Sequence, residues 1–181
     1  MHIGTLVTAI EPAAGILHDW ASKVAEVAPI VFDPNIRPAV MGNRDLYVAA
    51  VEKWVAISSA VKVSDEDLNW LYPDQSIELV VNRWLADGVA LVAVTYGAKG
   101  LTGFTAMEKV EVDGVKVDVV DTVGAGDTVG AVLVEAIVES GLTNLTGNLL
   151  KSKLTLAAKA AAITCSRSGA KPPTKLEIEN A

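Results

Sequence analysis

The sequence predicts an α/β fold, a mostly parallel sheet covered by helices, on three observations. Short apolar runs at 30–32, 60–63 and 90–96 alternate with amphipathic windows of helical period. The strongest run, 90–96, is apolar on both faces, as a strand buried between helix layers is. Asp33, Lys62, Thr95 and Asp121 stand at or near the carboxyl ends of these runs. In open α/β sheets that edge is where ligands bind.

Each element has a local reason. Pro12 is placed to open a helix, and Ile16, Leu17, Trp20, Val24 and Val27 share one of its faces. Residues 30–32 read as a strand ending at Asp33, and 45–58 as a helix. After the strand 60–63, Ser64 reads as an N-cap with Asp67 three residues on. The window 74–87 predicts a helix with the stripe Ile77, Val80, Val81, Trp84 and Leu85, ended by Gly88. Residues 90–96 form the buried strand. The segments 101–105, 109–112 and 115–120 read as shorter strands, with Asp113-Gly114 as a hairpin turn. Residues 125–140 predict a helix whose buried face is Val129, Val132, Leu133, Ala136 and Ile137. An Ala-rich helix is expected over 152–166, and a Pro-rich irregular tail from Gly169. No repeat, linker or low-complexity tract interrupts the chain, so a single domain over 1–181 is expected.

Composition narrows the function. The chain has 181 residues, 51% of them hydrophobic, and a mean hydropathy of +0.37, enough to bury a core. A net charge of −7 without a basic cluster argues against nucleic acid or an anionic membrane as partner. No apolar run has the length of a membrane span, and Met1-His2-Ile3-Gly4-Thr5 lacks the basic start of a signal peptide. Cys165 alone rules out an internal disulfide and reads as a small buried hydrophobe; a cytoplasmic protein is the expectation. His2 and His18 read as surface residues, and no C-x-x-C, H-E-x-x-H or G-x-S-x-G motif is present.

The run Val119-Val120-Asp121-Thr122-Val123-Gly124-Ala125-Gly126-Asp127-Thr128 holds the most chemistry. An apolar segment enters a glycine turn that opens a helix, and bare N–H groups at a helix start bind anions. A carboxylate at Asp127 repels a phosphate that is merely held. It makes sense where phosphate moves and a hydroxyl must lose its proton. Phosphoryl transfer follows, with Asp127 as base and the backbone of Gly124, Ala125, Gly126 and Asp127 as anion hole. The competing reading is a plain strand-to-helix turn whose aspartate favours the helix dipole.

Asp121-Thr122-Val123-Gly124-Ala125-Gly126-Asp127 matches the D-T-x-G-A-G-D signature of the ribokinase-like (pfkB-type) carbohydrate kinases, and the chain resembles their fructokinase-like branch. Gly4-Thr5-Leu6 with Glu11-Pro12, Asp33-Pro34-Asn35-Ile36-Arg37, the stretch from Lys62 to Asp67, Thr95-Tyr96-Gly97-Ala98-Lys99-Gly100, and Thr164 to Ala170 fall in the family's order. The resemblance implies a ribokinase-like fold, ATP and Mg²⁺ as cofactors, and K⁺ as a further ion. It implies Asp127 as general base, with Asn35 and Arg37 toward substrate or phosphate. It implies Lys62, Ser64, Thr95, Gly97, Gly100 and Lys159 toward the nucleotide, Asp67 toward Mg²⁺ through water, and Asp121 toward a monovalent cation. Lys99 reads equally as a solvated loop lysine, Arg37 as half of a structural ion pair, and Ser64 with Asp67 as a helix cap. Ser64 and Asp67 replace the family's Asn-x-x-Glu, and Val129 and Val132 replace an aromatic and a glycine at packing positions.

The same resemblance aligns Met1 with the middle of the family's chain. The expectation is the C-terminal nucleotide-binding and catalytic-base part of a sugar kinase, lacking the N-terminal strands and the β-lid. An exposed sheet edge would then favour a homo-oligomer or association with another chain. The function expected is ATP-dependent phosphorylation of a fructose-like sugar or a 2-keto-3-deoxy sugar acid. The alternatives are an inactive nucleotide-binding remnant and an NAD-dependent oxidoreductase. The last is weakened because Gly130 falls one residue late for G-x-G-x-x-G.

Overall fold

The computed structural model describes residues 1–40 and 42–180. The chain divides into two compact units, Met1–Val94 with Phe104–Met107, and Thr95–Gly103 with Glu108–Ala181. Among the described residues no helix is long and apolar enough to cross a membrane.

In the first unit, β1 (His2–Gly4), β2 (Val31–Asp33), β3 (Ala60–Ser64) and β4 (Leu91–Thr95) lie side by side in chain order. β1 and β2 are parallel with His2 opposite Val31, and β2 and β3 are parallel with Val31 opposite Ala60. Gly4 is needed where β1 meets β2: a Cβ there would stand 1.9 Å from the carbonyl oxygen of Asp33. Three residues at the chain start give no periodic signal, so β1 is not predicted.

The helices of this unit are α1 (Ala13–Ala25), α2 (Arg44–Val55), α3 (Asp65–Leu71) and α4 (Ile77–Ala86). Three start on side-chain caps that satisfy otherwise orphaned N–H groups. Asn43 takes Leu46 N–H at 3.2 Å, Ser64 takes Asp67 N–H at 3.0 Å, and Ser76 takes Leu79 N–H at 3.2 Å. The capping expected at Ser64 is therefore present. In α4 the expected stripe is buried at Val80, Val81 and Trp84, and Gly88 follows the helix at φ +113°.

α1 forms where expected, but Ile16 and Trp20 of its expected apolar stripe face outward. Ala14 and Ala21 are buried and Leu17 and Val24 half-buried, whereas Ile16 and Trp20 are 70% and 54% exposed, and Val27, 86% exposed, lies beyond the end of the helix. The helix has two apolar faces, and the alanine face fits closer against its neighbours.

The core of the unit forms around Trp54 and Trp84. The Trp54 ring stacks on Phe32 at 6.0 Å and meets His18 edge-on at 5.0 Å, while its Nε1 donates to the carbonyl of Thr8 at 2.8 Å. Trp84 Nε1 donates to Glu52 at 3.2 Å, and the same carboxylate takes Arg83 at 2.5 Å and the Tyr72 hydroxyl. Burial, then the Glu52 carboxylate, pushes the Tyr72 phenol well above its ordinary range.

In the second unit β5 (Gly100–Phe104) neighbours β6 (Lys109–Asp113), and α5 (Ala125–Ser140) packs on α6 (Gly147–Cys165). All five residues of the predicted α5 face are buried, including Val132 at one of the family's departures. α6 begins earlier than expected. Gly and Asn disfavour a helix, but Gly147 N–H finds the Glu108 carboxylate at 2.5 Å and the first turn holds. Gly103 leaves room for α6, since a Cβ would come within 2.8 Å of Leu154.

Three expectations are corrected here. Residues 115–120 form no strand; Val120 and Asp121 N–H groups go to the Cys165 carbonyl at 2.9 and 3.1 Å rather than to a ladder. The tail is not wholly irregular, because α7 (Lys175–Glu179) forms on a capping box between Thr174 and Glu177. The hydrogen bonds of Thr174, with those of Arg167, hold the Glu177 carboxyl down at about 2. Cys165 is half-buried, and burial, with the Asp121 charge, pushes its thiol upward.

Trp54→Phe keeps the ring stack and strands the carbonyl of buried Thr8. It is expected to cost about 1–3 kcal/mol in chemical denaturation, the penalty of an unpaired buried acceptor.

Candidate active site

The glycine turn lies in the second unit. Gly124 sits at the N-cap of α5 in the left-handed region, φ +83° and ψ −3°, which glycine adopts without penalty. A Cβ there would also stand 2.9 Å from the Ala170 side chain. Thr128 N–H closes the first turn onto the Gly124 carbonyl at 2.9 Å. The N–H groups of Gly126 and Asp127 have no acceptor among the described residues, while Ala125 N–H has a weak one, Thr122 O at 3.3 Å. Asp127, in the first turn, is exposed and its carboxylate has no hydrogen bond or ion pair among the described residues. Free donors and a free carboxylate therefore stand side by side at a positive helix end.

Asp121 ties this turn to the chain beyond α6. Its Oδ1 accepts Val123 N–H at 3.0 Å and its Oδ2 accepts Gly169 N–H at 2.9 Å. Those two bonds, Val123 first, hold its carboxyl below the ordinary carboxylate range.

The loop after β4 belongs to the same unit. Tyr96 N–H reaches the Gly100 carbonyl at 2.8 Å, with Gly97 at φ +55° and Gly100 at φ +111°. Gly100 is required by packing, because a Cβ would lie 2.1 Å from the Val112 carbonyl. Gly114 N–H donates to Lys99 O at 3.1 Å, so the Asp113-Gly114 corner closes on this loop instead of turning a hairpin. Thr95 ends β4, Gly97 and Lys99 are exposed, and Lys159 is half-buried on α6.

The remaining candidates gather in the first unit, at the carboxyl ends of β2 and β3. Lys62 Nζ meets Asp33 Oδ2 at 2.9 Å with both side chains buried, 6% and 4% exposed. The second Asp33 oxygen is buried without a partner. Burial pushes the Asp67 carboxyl up, against the Ser64 hydrogen bond and the Lys62 charge; its Oδ1 takes Ile36 N–H at 3.2 Å. Asn35 holds φ +44°, and Arg37 curls back to donate to the carbonyls of Ile36 at 2.9 Å and Asn35 at 3.3 Å. Sequence reasoning gave Asp33 no role of its own. Its signal is an acid at a strand end beside a lysine at the next strand's end.

The chain belongs to the pfkB family carbohydrate kinases, whose family model matches residues 2–176. A fructokinase of Rhizobium leguminosarum bv. trifolii is 37% identical over 131 residues, covering 72% of this chain and 40% of the relative. A probable fructokinase of Arabidopsis thaliana is 31% identical, covering 99% of this chain and 56% of the relative. The chain thus spans about half the length of the curated relatives it matches. A double mutant of Vibrio cholerae O395 fructokinase, solved with fructose, ADP and potassium, superposes with a TM-score of 0.87 at 27% identity, covering 99% of this chain and 58% of that one. The α/β arrangement is ribokinase-like, as the motifs led one to expect.

The depressed Asp121 carboxyl sets a pH dependence. A folded value below the ordinary 3.8 adds stability that is fully present above 3.8 and lost as pH falls through the lower folded value. The Val123 and Gly169 amides are expected to keep their exchange protection down to about pH 4 and lose it below, read by amide exchange quenched at stepped pH.

Proposed function

We propose that this site serves ATP-dependent phosphorylation of a sugar hydroxyl, with Asp127 taking the hydroxyl proton and the 124–127 turn receiving the transferred phosphoryl charge. The observation that carries the reading is the unpaired Asp127 carboxylate beside the free N–H groups of its own helix start. A carboxylate so placed accepts a proton as the oxygen attacks, while backbone donors meet the charge spreading over the phosphoryl oxygens.

The acceptor class proposed is a fructose-like sugar or a 2-keto-3-deoxy sugar acid. Membership of the pfkB family and the fructokinase relatives support the former. Within the second unit, Thr95, Gly97, Gly100 and Lys159 are the proposed nucleotide contacts; within the first, Lys62 and Ser64 are proposed for the nucleotide and Asn35 and Arg37 for substrate or phosphate. A cytoplasmic setting would supply that ATP.

No group of three or more acidic, histidine or cysteine side chains is placed to hold a metal among the described residues. Mg²⁺ needs less, since it keeps its own waters and takes one or two carboxylates with substrate phosphates. Asp67 and the unpartnered buried oxygen of Asp33 fit such a hydrated ion, which when bound would neutralise phosphate charge. The potassium in the Vibrio structure supports a monovalent cation here too, with Asp121 as its proposed neighbour.

Self-association is part of the same proposal. β1 stands first in its sheet with β2 as its neighbour, and the outward Ile16 and Trp20 of α1, with Val27 just beyond it, add exposed apolar surface. Light scattering at micromolar concentration is expected to give a mass above the 18.9 kDa of one chain, with Trp20→Glu shifting it toward that value.

The activity is tested by ADP release from MgATP with K⁺ against fructose, ribose, 2-keto-3-deoxygluconate and nucleosides. Sugar-dependent turnover is expected to fall about 10²–10⁴-fold in Asp127→Ala, the usual worth of a positioned base. Nucleotide binding without turnover above the variant would leave a nucleotide-binding protein and remove the kinase reading.

A further inference from the structure

We propose that the buried hydroxyls of Thr128 and Thr164 form a relay that sets the orientation of the Gly124 peptide, making both threonines positioning residues for the anion hole. Thr164 lies near the end of α6, fully buried, and Thr128 lies one turn into α5 at 5% exposure. Their Oγ1 atoms are 3.0 Å apart. Thr128 Oγ1 is also 2.8 Å from the Gly124 carbonyl, and Thr164 Oγ1 is 3.0 Å from the Ala160 carbonyl.

Proton counting leaves two arrangements in which the hydroxyls bond each other, one ending on the Gly124 carbonyl and one on that of Ala160, and the shorter Gly124 contact favours the first. Two hydroxyls supply one proton each, so three contacts cannot all be made at once. The shortest contact takes the Thr128 proton onto the Gly124 carbonyl. The 3.0 Å oxygen–oxygen contact is then attractive only if Thr164 donates to Thr128. The chain runs from Thr164 to Thr128 to Gly124, and a hydroxyl that accepts one hydrogen bond donates a stronger one.

The consequence falls on the turn. The Gly124 carbonyl receives two donors, the Thr128 N–H at 2.9 Å and the Thr128 hydroxyl at 2.8 Å. Fixing that carbonyl fixes the plane of the Gly124–Ala125 peptide. It thereby aims the backbone donors that follow, while Ala170 closes the other side of Gly124. An i to i−4 bond from a helical threonine is common in itself. Here a second buried hydroxyl from another helix drives it, at the one carbonyl that opens the candidate anion hole.

The catalytic part of this role rests on the phosphoryl-transfer reading, whereas the geometric part does not, and two readouts separate them. In the full chain, Thr128→Val, Thr128→Ser and Thr164→Val are compared with the unaltered protein. First, ¹⁵N–¹H spectra are expected to show the Ala125 and Gly126 amides shifted in Thr128→Val, less shifted in Thr164→Val, and returned in Thr128→Ser. Unmoved amides in both valine variants would overturn the relay. Second, affinity for MgADP with tetrafluoroaluminate, a stand-in for the moving phosphoryl group, is expected to fall about tenfold or more in Thr128→Val. Affinity for MgADP alone should change less than about twofold, and Thr128→Ser should restore the difference. Equal loss for both ligands would overturn the positioning role. If the unaltered chain holds neither ligand, the phosphoryl-transfer reading fails, and the amide shifts still decide the relay. Should Thr128→Val not fold, Thr164→Val decides by both readouts.

Discussion

The tie between the 121–124 turn and the residues that leave α6 is the constraint on which the rest of the second unit depends. The Cys165 carbonyl takes two backbone donors from Val120 and Asp121, the Asp121 carboxylate takes one from Gly169, and Ala170 rests against Gly124. These contacts end α6, steer the chain that enters the turn, and begin α5 at a fixed place. Without them the left-handed Gly124 would be one conformer among many, because glycine visits that region freely and gains nothing by staying. The turn is held largely from outside itself, so the Gly126 and Asp127 donors are not drawn into its own hydrogen bonds.

A different economy governs the first unit. Burying Lys62 and Asp33 costs several kcal/mol per charge by desolvation, and mutual attraction offsets this only when the geometry is good. At 2.9 Å the attraction is strong, yet one Asp33 oxygen remains without a donor. Replacing the pair by two apolar residues would relieve that cost, so retaining it is weak evidence for stability. It is better evidence for a polar ligand or a water at the strand ends, where Asp67 also sits half-buried and raised.

Much of this was readable in the residues. The strands β2, β3 and β4 announced themselves as apolar runs, and the α4 and α5 faces followed their helical period because those helices bury one stripe of large side chains. Ser64 was legible as a cap and Gly124 as part of a glycine turn opening a helix because their chemistry is local. Apart from the short β1 and the locally capped α7, the losses are non-local. Whether 115–120 is a strand depended on a carbonyl forty-five residues away at Cys165. The outward placing of Ile16 and Trp20 on α1 depended on which of two apolar faces found a neighbour, a choice periodicity does not make. The Asp33–Lys62 pair and the Thr128–Thr164 contact each join side chains about thirty residues apart, at separations of 29 and 36. No spacing rule connects them.

The placement of the large aromatics has an optical consequence. Trp20, Trp54, Trp70 and Trp84 all fall in the first unit, and no tryptophan lies in the second. Tryptophan emission therefore has its reporters in the first unit, where Trp54 stacks on Phe32 of β2, and none within the glycine turn, α5 or α6. A melt followed by tryptophan emission alone would draw its signal from side chains of the first unit, with no reporter inside the one that holds Asp127. Any uncoupling of the two would surface only as a disagreement between emission and a backbone probe such as circular dichroism.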